Sequence, residues 1–518
     1  MLTALRGMGR GARGRSLDGV SFSYLQHSLE IVAPYLSTIF NAFIVSDFYP
    51  TSWKRSVIVP LNKVTRPALP SQTRPVANLP HLARACDILL TQQISSYLES
   101  RDLLSSRQSG FRPGYSTQSA LIRITEDIRK AIEEERITVL VLFDFKCAFD
   151  TINHATLLAR LRDLNFGAGA LRLLHSYLSG RSQAVVDTDG VAAEFVECTS
   201  GVPQGSSPAP VLFAAYIDTV IAALRHCSDT CMLFADDLQI YLSCEPADLN
   251  DTIGRLCEDA QAVLDWSRRC GLRLDAQKTQ AIVVASDQRH MRMDIGACRP
   301  LVVDGVVVPF SSRVRDLGLV ISNNLAWTAH VNQISSRVHG VLHRLRTRAR
   351  ILPASVRSML VSSLVLPHFD YVCAVFRSLP AQLDIRLRRL FNTAVRFIYG
   401  LPRDVAMLPY IERLGWLTPA LRRDYFLGMQ VQRSILSGRP PYLIDLLPVR
   451  RVSTRALRPT TVEAFQQERI STEAYGNGFK MSAVRMWNGL PRDIIELPTL
   501  PLFKTQLRSH LVQRIGER

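Results

Sequence analysis

The chain has 518 residues, of which 47% are hydrophobic, and its 62 Lys plus Arg outnumber 45 Asp plus Glu for a net charge of +17. That apolar content excludes disorder over most of the chain, and the length gives room for roughly two to four domains. The positive surplus points to a polyanionic partner, most simply nucleic acid or an anionic membrane surface. A membrane-spanning helix is not expected, because the longest apolar run, 211–224, is broken by Asp218 and falls short of about 20 clean residues. The N-terminus is basic but lacks the apolar stretch of a secretory signal. Ten scattered cysteines form no C-x2-C pair. Cys227 and Cys231 lie four apart without a second pair, so reduced, mostly buried thiols in an intracellular protein are expected rather than a zinc site.

In chain order, residues 1–20 are rich in Gly and Arg and carry no periodic pattern, whereas 24–43 suits one or two helices. Trp53-Lys-Arg-Ser-Val-Ile-Val-Pro-Leu-Asn-Lys63 follows as a short β-rich run flanked by cations. With Arg74 beyond a Pro-rich loop, four basic groups (Lys54, Arg55, Lys63 and Arg74) stand near one extended segment, a pattern suited to a triphosphate clamp or to a plain solvated face. Residues 80–105 alternate at helical spacing. Gln108-Ser-Gly-Phe-Arg-Pro-Gly-Tyr-Ser-Thr117 breaks that pattern as a loop, and Ser116 or Thr117 is placed to cap a helix over 118–135.

Ile137-Thr-Val-Leu-Val-Leu-Phe143 is a continuous apolar run suited to a buried strand. It ends in Asp144, where ligand sites of sheet proteins commonly lie. An amphipathic helix is expected over 153–164. Gly201-Val-Pro-Gln-Gly-Ser-Ser-Pro208 is a loop dense in breakers, where glycine admits close backbone approach and Gln204 can donate and accept. An apolar helix is expected over 211–224.

Next come two short apolar runs around Asp236-Asp237, expected to be a hairpin with both acids at its tip. Alone, that pair reads as an ordinary solvated turn or as a site for a hard divalent cation. A long helix is expected over 248–269, and strands over 279–285, 301–308 and 314–321. From Leu317 to Phe369 there is no acid, while Arg337, Arg344, Arg346, Arg348, Arg350 and Arg357 fall on apparent helices. That asymmetry suits a contact surface for a phosphate backbone.

A strand ending in Asp144, a Pro-Gln-Gly loop and a hairpin bearing two acids together suit two-metal nucleotidyl transfer. The set resembles the reverse transcriptases of non-LTR retrotransposons, particularly the jockey-like group. The motifs run in the right order: Asp18-Gly-Val20 ahead of the polymerase, Trp53 to Lys63 with Arg74-Pro75, Gln108-Ser-Gly-Phe-Arg112, Leu142-Phe-Asp-Phe-Lys-Cys-Ala-Phe-Asp150 as motif A, Ser200-Gly-Val-Pro-Gln-Gly205 as motif B, Phe234-Ala-Asp-Asp237 as motif C, Gly271 to Thr279 as motif D and Leu317-Gly318 as motif E.

The resemblance implies an α+β right hand: a disordered or linker remnant at 1–23, fingers with N-terminal helices at 24–135, a palm with an antiparallel sheet at 136–322, a helical basic thumb at 323–400 and a mostly helical region of unassigned role at 401–518. It implies that Asp144, Asp236 and Asp237 bind Mg2+, or Mn2+ in its place. Phe149 becomes the aromatic gate selecting dNTPs, Gln204 a contact to the incoming nucleotide, and Arg55, Lys63 and Arg74 the triphosphate cations. Lys278 becomes a proton donor to pyrophosphate, and Phe234 replaces a tyrosine common at its position.

The implied partners are an RNA template, a DNA primer, dNTPs and the element's own RNA as a ribonucleoprotein, with the nucleus as location and the six arginines as a template–primer grip. Arg485-Met-Trp-Asn-Gly-Leu-Pro491 and Phe503-Lys504 resemble the tails of such elements. With no endonuclease or zinc knuckle in view, the chain resembles a fragment of a 5′-truncated copy, and autonomous target nicking is not expected. Two alternatives stand beside this reading: a catalytically inactive nucleic-acid-binding remnant, and an RNA-dependent RNA polymerase with similar palm carboxylates.

Overall fold

The computed structural model describes residues 19–186, 192–448, 450–451, 464–466 and 469–515. Asp18 and the Gly- and Arg-rich residues before it lie outside the described residues. Helix α1 (Phe22–His27) begins two residues ahead of the expected start, and α2 (Leu29–Val45) follows it directly. Strand β1 (Arg55–Asn62) then turns back antiparallel as β2 (Thr73–Asn78), with Leu61 opposite Arg74. Helices α3 (His81–Ser100) and α4 (Thr117–Glu133) flank the loop that contains Gln108. Ser116 is the α4 cap, its hydroxyl accepting from the Ser119 amide at 3.1 Å.

Strand β3 (Ile137–Phe143) is wholly buried, and the reason lies in its period of two. Ile137, Val139, Val141 and Phe143 enter one apolar core, while Leu140 and Leu142 enter a second core on the other face. A strand covered on both faces has no reason to alternate, which is why its sequence reads as an unbroken apolar run. The short β4 (Phe145–Lys146) precedes α5 (His154–Asp163), capped by Asn153, and α6 (Ala168–Leu178). Strands β5 (Arg181–Val185) and β6 (Val196–Cys198) complete a front sheet of order β2-β1-β5-β6.

The apolar stretch expected as one helix over 211–224 is instead α7 (Pro208–Ile217) followed by a tighter 3-10 turn, Asp218–Ala223. Asp218 is buried at the change, accepting from the Ser105 amide at 3.1 Å and pairing with Arg160 at 3.4 Å. A buried carboxylate that must reach two partners outside the helix gives a reason for the break. Strands β7 (Cys231–Phe234) and β8 (Asp237–Cys244), helix α8 (Leu249–Arg269), β9 (Arg273–Leu274) and β10 (Gln280–Val284) follow. The central sheet has the order β10-β3-β8-β7 with every neighbour antiparallel.

Two expected single strands are hairpins. Residues 301–308 split into β11 (Leu301–Val303) and β12 (Val306–Val308) around Asp304-Gly305, and 314–321 into β13 (Arg313–Asp316) and β14 (Leu319–Ser322) around Leu317-Gly318. Both turn pairs have positive φ at both positions, the geometry that matches the twist of a two-residue hairpin.

Apart from a short antiparallel pair, Arg450–Arg451 with Ala464–Phe465, the main elements that follow are helices: α9 (Thr328–Arg346), α10 (Ala354–Leu364), α11 (Leu366–Asp370), α12 (Ala381–Tyr399), α13 (Leu408–Leu414), α14 (Pro419–Ser437), α15 (Phe479–Asn488) and α16 (Leu500–Gln513). These helices share one core that runs without a break across residue 400 and includes α4. The buried Glu126 of α4 accepts from the amides of Phe479 at 2.5 Å and Lys480 at 3.0 Å, so its carboxylate sits on the N-terminus of α15. Tyr442 meets both Ser109 at 2.9 Å and Ser119 at 3.0 Å through its hydroxyl.

Candidate active site

The β7–β8 hairpin closes through a two-residue turn, with Phe234 paired to Asp237. Ala235 takes a φ of +57° in that turn, a conformation that strains a residue with a Cβ by about 1 kcal/mol. The surroundings hold it there. The 107–110 loop lies along β7, Leu233 donating to the Arg107 carbonyl at 3.0 Å and Ser109 to the Leu233 carbonyl at 2.7 Å. Gly110 seats directly on the turn, where an added Cβ would lie 2.2 Å from the Ala235 nitrogen. Any side chain at 110 would push the turn away.

Register brings the acids together. Phe143 pairs with Leu238 and Leu142 with Gln280, so the next step along β3 sets Asp144 beside Asp237 on one side and Lys278 on the other. Asp236 occupies the turn. Burial raises the pKa of Asp236 and the nearby Asp144 raises it further, while Arg74 opposes both. Asp237 is pushed up to about 7, by desolvation first and then by Asp236 and Asp144. Like charges placed on adjacent strands destabilise a sheet, and a cation among them would reverse that penalty.

The donor set is all carboxylate oxygen, which suits a hard divalent ion. Among the described residues no three acid, histidine or cysteine side chains stand close enough to enclose one ion. In this arrangement Asp144 is instead held by Lys278, whose Nζ lies 3.0 Å from Oδ2. That hydrogen bond is the main reason the Lys278 pKa is raised. Asp275 supports the same lysine from 3.6 Å and holds Lys146 at 3.3 Å.

Asp316 is buried under the hairpin, where it accepts from the Gln239 amide at 3.0 Å. Burial and then Asp237 push its pKa to about 8. Asp144, Asp237, Lys278 and Asp316 all line one cleft of about 280 Å³.

On the other side of motif A the Phe149 ring stacks on Phe213 at 4.3 Å and meets Phe111 edge-on at 6.1 Å. Gln204 donates from Nε2 to Asp150 Oδ1 at 2.8 Å, and its carbonyl accepts from Ala77 of β2 at 2.6 Å. Gly201, at φ +80°, could not carry a Cβ, which would lie 2.7 Å from the Asp150 carbonyl oxygen. Asp150 and Gln204 line a second cleft of about 370 Å³ between this loop and the front sheet. The pairing of Asp150 with Gln204 and the seat of Gly110 were not singled out from sequence. Each residue stood inside a quoted motif, but its partner lies on another strand or loop.

The expected cations do not act as one group. Lys63 and Arg74 stand at the same end of the β1–β2 hairpin, where burial raises the pKa values of Asp150 and Asp236 and the two cations respectively oppose that rise. Arg55 begins β1, roughly 20 Å away along the strand, and its guanidinium lies over the Phe195 ring at 4.0 Å. Lys54 is buried, and its charge is disfavoured by burial and by Arg181.

The six arginines are also divided. Arg337 and Arg344 are exposed seven residues apart on α9 and so share a stripe. Arg346 points about 200° away from Arg344. Arg348 lies beyond the helix, exposed, and Arg350 falls in a short 3-10 turn, Ala349–Ile351. Arg357 is half-buried and donates to the Phe397 carbonyl at 2.9 Å, inside the helical packing.

A family model described as reverse transcriptase (RNA-dependent DNA polymerase) matches residues 61–321. The chain is 26% identical over 375 residues to a protein named probable RNA-directed DNA polymerase from transposon X-element of Drosophila melanogaster, covering 71% of this chain and 40% of that one. It is 22% identical to the RNA-directed DNA polymerase from mobile element jockey of the same organism, covering 82% of this chain and 47% of that one. The chain thus spans less than half the length of these relatives. Among solved structures, apo telomerase from Candida tropicalis, truncated from its C-terminal domain, overlaps at 13% identity and a TM-score of 0.37, over 52% of this chain and 53% of its own. The matched segment contains Asp144, Gln204, Asp236, Asp237 and Lys278, and the chain belongs to the reverse transcriptase family, with the right-hand α+β fold of that family and sequence relatives among non-LTR retrotransposons.

Proposed function

We propose that the chain is an RNA-directed DNA polymerase that extends a DNA 3′ end on an RNA template as part of a non-LTR retrotransposon. The observation that carries this reading is the β3–β8–β10 register, which sets Asp144 between Asp237 and Lys278 with Asp236 in the adjoining turn. Asp144, Asp236 and Asp237 would hold divalent metal, Mg2+ or Mn2+, which when bound activates the attacking 3′ oxygen and neutralises charge on the leaving pyrophosphate.

The chain's own groups do the rest. The Phe149 ring, braced by Phe213, crowds the position of a ribose 2′-OH and so favours dNTPs. Lys63 and Arg74 face the acids and bind the triphosphate, while the divided position of Arg55 assigns it no part in that clamp. Lys278 holds a proton at Nζ beside Asp144, and on nucleotide binding it exchanges the carboxylate for the developing pyrophosphate. Arg337 and Arg344 offer a stripe for the template–primer backbone. The RNA template, DNA primer and element RNA are its partners, and the nucleus is its place of action.

The test is extension of a labelled DNA primer on an RNA template with Mg2+ and dNTPs. The wild type is expected to extend the primer, and Asp144→Asn or Asp236→Ala/Asp237→Ala to lose roughly a thousandfold or more in rate, the worth of several kcal/mol of charge stabilisation. Equal product from wild type and the double variant would overturn the catalytic assignment. A binding remnant would hold template–primer and extend nothing.

A further inference from the structure

A concave site of about 330 Å³ lies at the far end of the helical region, between α10–α11 and α14–α16. Its wall includes Asp370, Trp416, Arg422, Tyr425, Lys504 and Arg508. The residues come from three separate parts of the chain, and of them only Lys504 stood in a sequence motif, Phe503-Lys504, to which no role was attached. Asp370 is the single acid of the lining, and the Arg422 guanidinium grips it with both Nε and Nη2. That pair cancels itself and leaves Lys504 and Arg508 as a surplus.

Lys504 and Arg508 are four apart on α16, hence on one face, and both are exposed. Arg508 donates to the Gly415 carbonyl at 3.0 Å, next to Trp416, so its guanidinium is fixed rather than waving in solvent. Burial raises the Tyr425 pKa and keeps the phenol neutral, while Arg508 and Arg422, which lie close by, oppose that shift. Tyr425 is half-buried, and Trp416 is buried, tilted against Phe391 at 6.1 Å.

We infer that this site binds a single-stranded polynucleotide, one base lying against Tyr425 and the adjoining phosphates on Lys504 and Arg508. Exposed cations around an aromatic face in a one-nucleotide-sized hollow are how sequence-tolerant single-strand binding is built. A duplex phosphate contact would need no aromatic wall. The site shares a core with α9–α12. The inference goes beyond the proposed polymerase reading and predicts the same binding in Asp236→Ala/Asp237→Ala.

The experiment uses the full chain with fluorescein-labelled U12 RNA and dT12 DNA, each also prepared with one photoactivatable 4-thio base, and maps cross-linked peptides. Cross-links are expected within 416–425 or 504–508, and the arm that gives them tells whether RNA or DNA is the occupant. Lys504→Gln/Arg508→Gln should remove those cross-links, weaken binding roughly tenfold, and make the log–log salt dependence shallower by about 1.4, the value for two lost single-strand phosphate contacts. Tyr425→Leu should remove the cross-links while leaving that slope unchanged. Absence of cross-links from these two segments in the wild type, or wild-type affinity and slope in the lysine–arginine variant, overturns the inference.

Discussion

The central sheet and the helical region behind it are built on opposite economies. Around the β7–β8 hairpin, like-charged carboxylates stand close together over the buried Asp316, and a strained Ala235 is held by backbone bonds of the adjoining loop and by Gly110 pressed on the turn. In the helical region the acid Asp370 is paired with Arg422, the surplus cations stay exposed, and the centre is aromatic. Trp487 is fully buried there, stacked on Phe503 at 6.0 Å and tilted against Phe465 at 5.8 Å. Unrelieved polar strain collects where chemistry is expected, and apolar packing elsewhere offsets it.

The largest test of that contrast is Trp487→Ala. Removing a buried indole should cost about 3–5 kcal/mol. Because one core joins α15 to α9–α12 and to α4, thermal unfolding should remain a single transition shifted downward. Two separated transitions would show that 401–518 is a unit independent of α9–α12.

His330 probes the same core by pH. It is buried against Phe376 at 4.9 Å, and burial first, then Arg337, lower its pKa from 6.5 to about 4. The folded state therefore binds fewer protons than the unfolded one between those values. Its contribution is fully present above pH 6.5 and is lost as pH falls towards 4, worth about 3 kcal/mol over the whole interval. Denaturation midpoints of wild type and His330→Gln should converge as the medium is acidified, the variant lacking this part of the acid loss. Parallel pH profiles would show that His330 charges without penalty.

Returning to the hairpin, Gly110→Ala tests whether the loop positions the turn. The added methyl must move the Ala235 backbone, and displacement of catalytic groups by about 1 Å costs roughly a hundredfold in rate. The expected result is a loss in kcat for primer extension with template–primer affinity retained. A wild-type kcat would show that the turn keeps its shape without the loop.

Much of this arrangement was legible beforehand because its signals are local. The 137–143 run gave a buried strand, the acid pair a hairpin tip, and Ser116, one of two candidates, its cap. Asp304-Gly305 and Leu317-Gly318 were read through as strand because apolar residues flank both turns, although the glycines were turn signals in plain view. Other features depend on register or on distant partners. Nothing in Arg55-Ser-Val separates Arg55 from Lys63 until strand length is converted into distance. Nothing near Arg112 shows that it is buried on Glu99 at 2.7 Å, not free for a ligand. Trp487 stood in a quoted motif without a role, because a core residue and a binding residue look alike until their neighbours are known.

The smallest expected effect separates two roles that Asp150 could play. Its Oδ1 accepts from Gln204 Nε2, which fixes the carboxamide; burial raises its pKa, and the Gln204 hydrogen bond and then the charge of Lys63 oppose that rise. If orientation of Gln204 is what matters, Asp150→Asn keeps an acceptor at the same place and should hold KM for dNTPs within about twofold, whereas Asp150→Ala should raise it roughly tenfold, the worth of one hydrogen bond. Gln204→Ala should then be no worse when combined with Asp150→Ala than alone, because the two act through one contact. If charge towards Lys63 is what matters, the asparagine variant should fail as badly as the alanine one and the double variant should be additive. The first outcome makes the Asp150–Gln204 pair part of the site's geometry, as the hairpin is; the second makes it an electrostatic partner of the fingers cation.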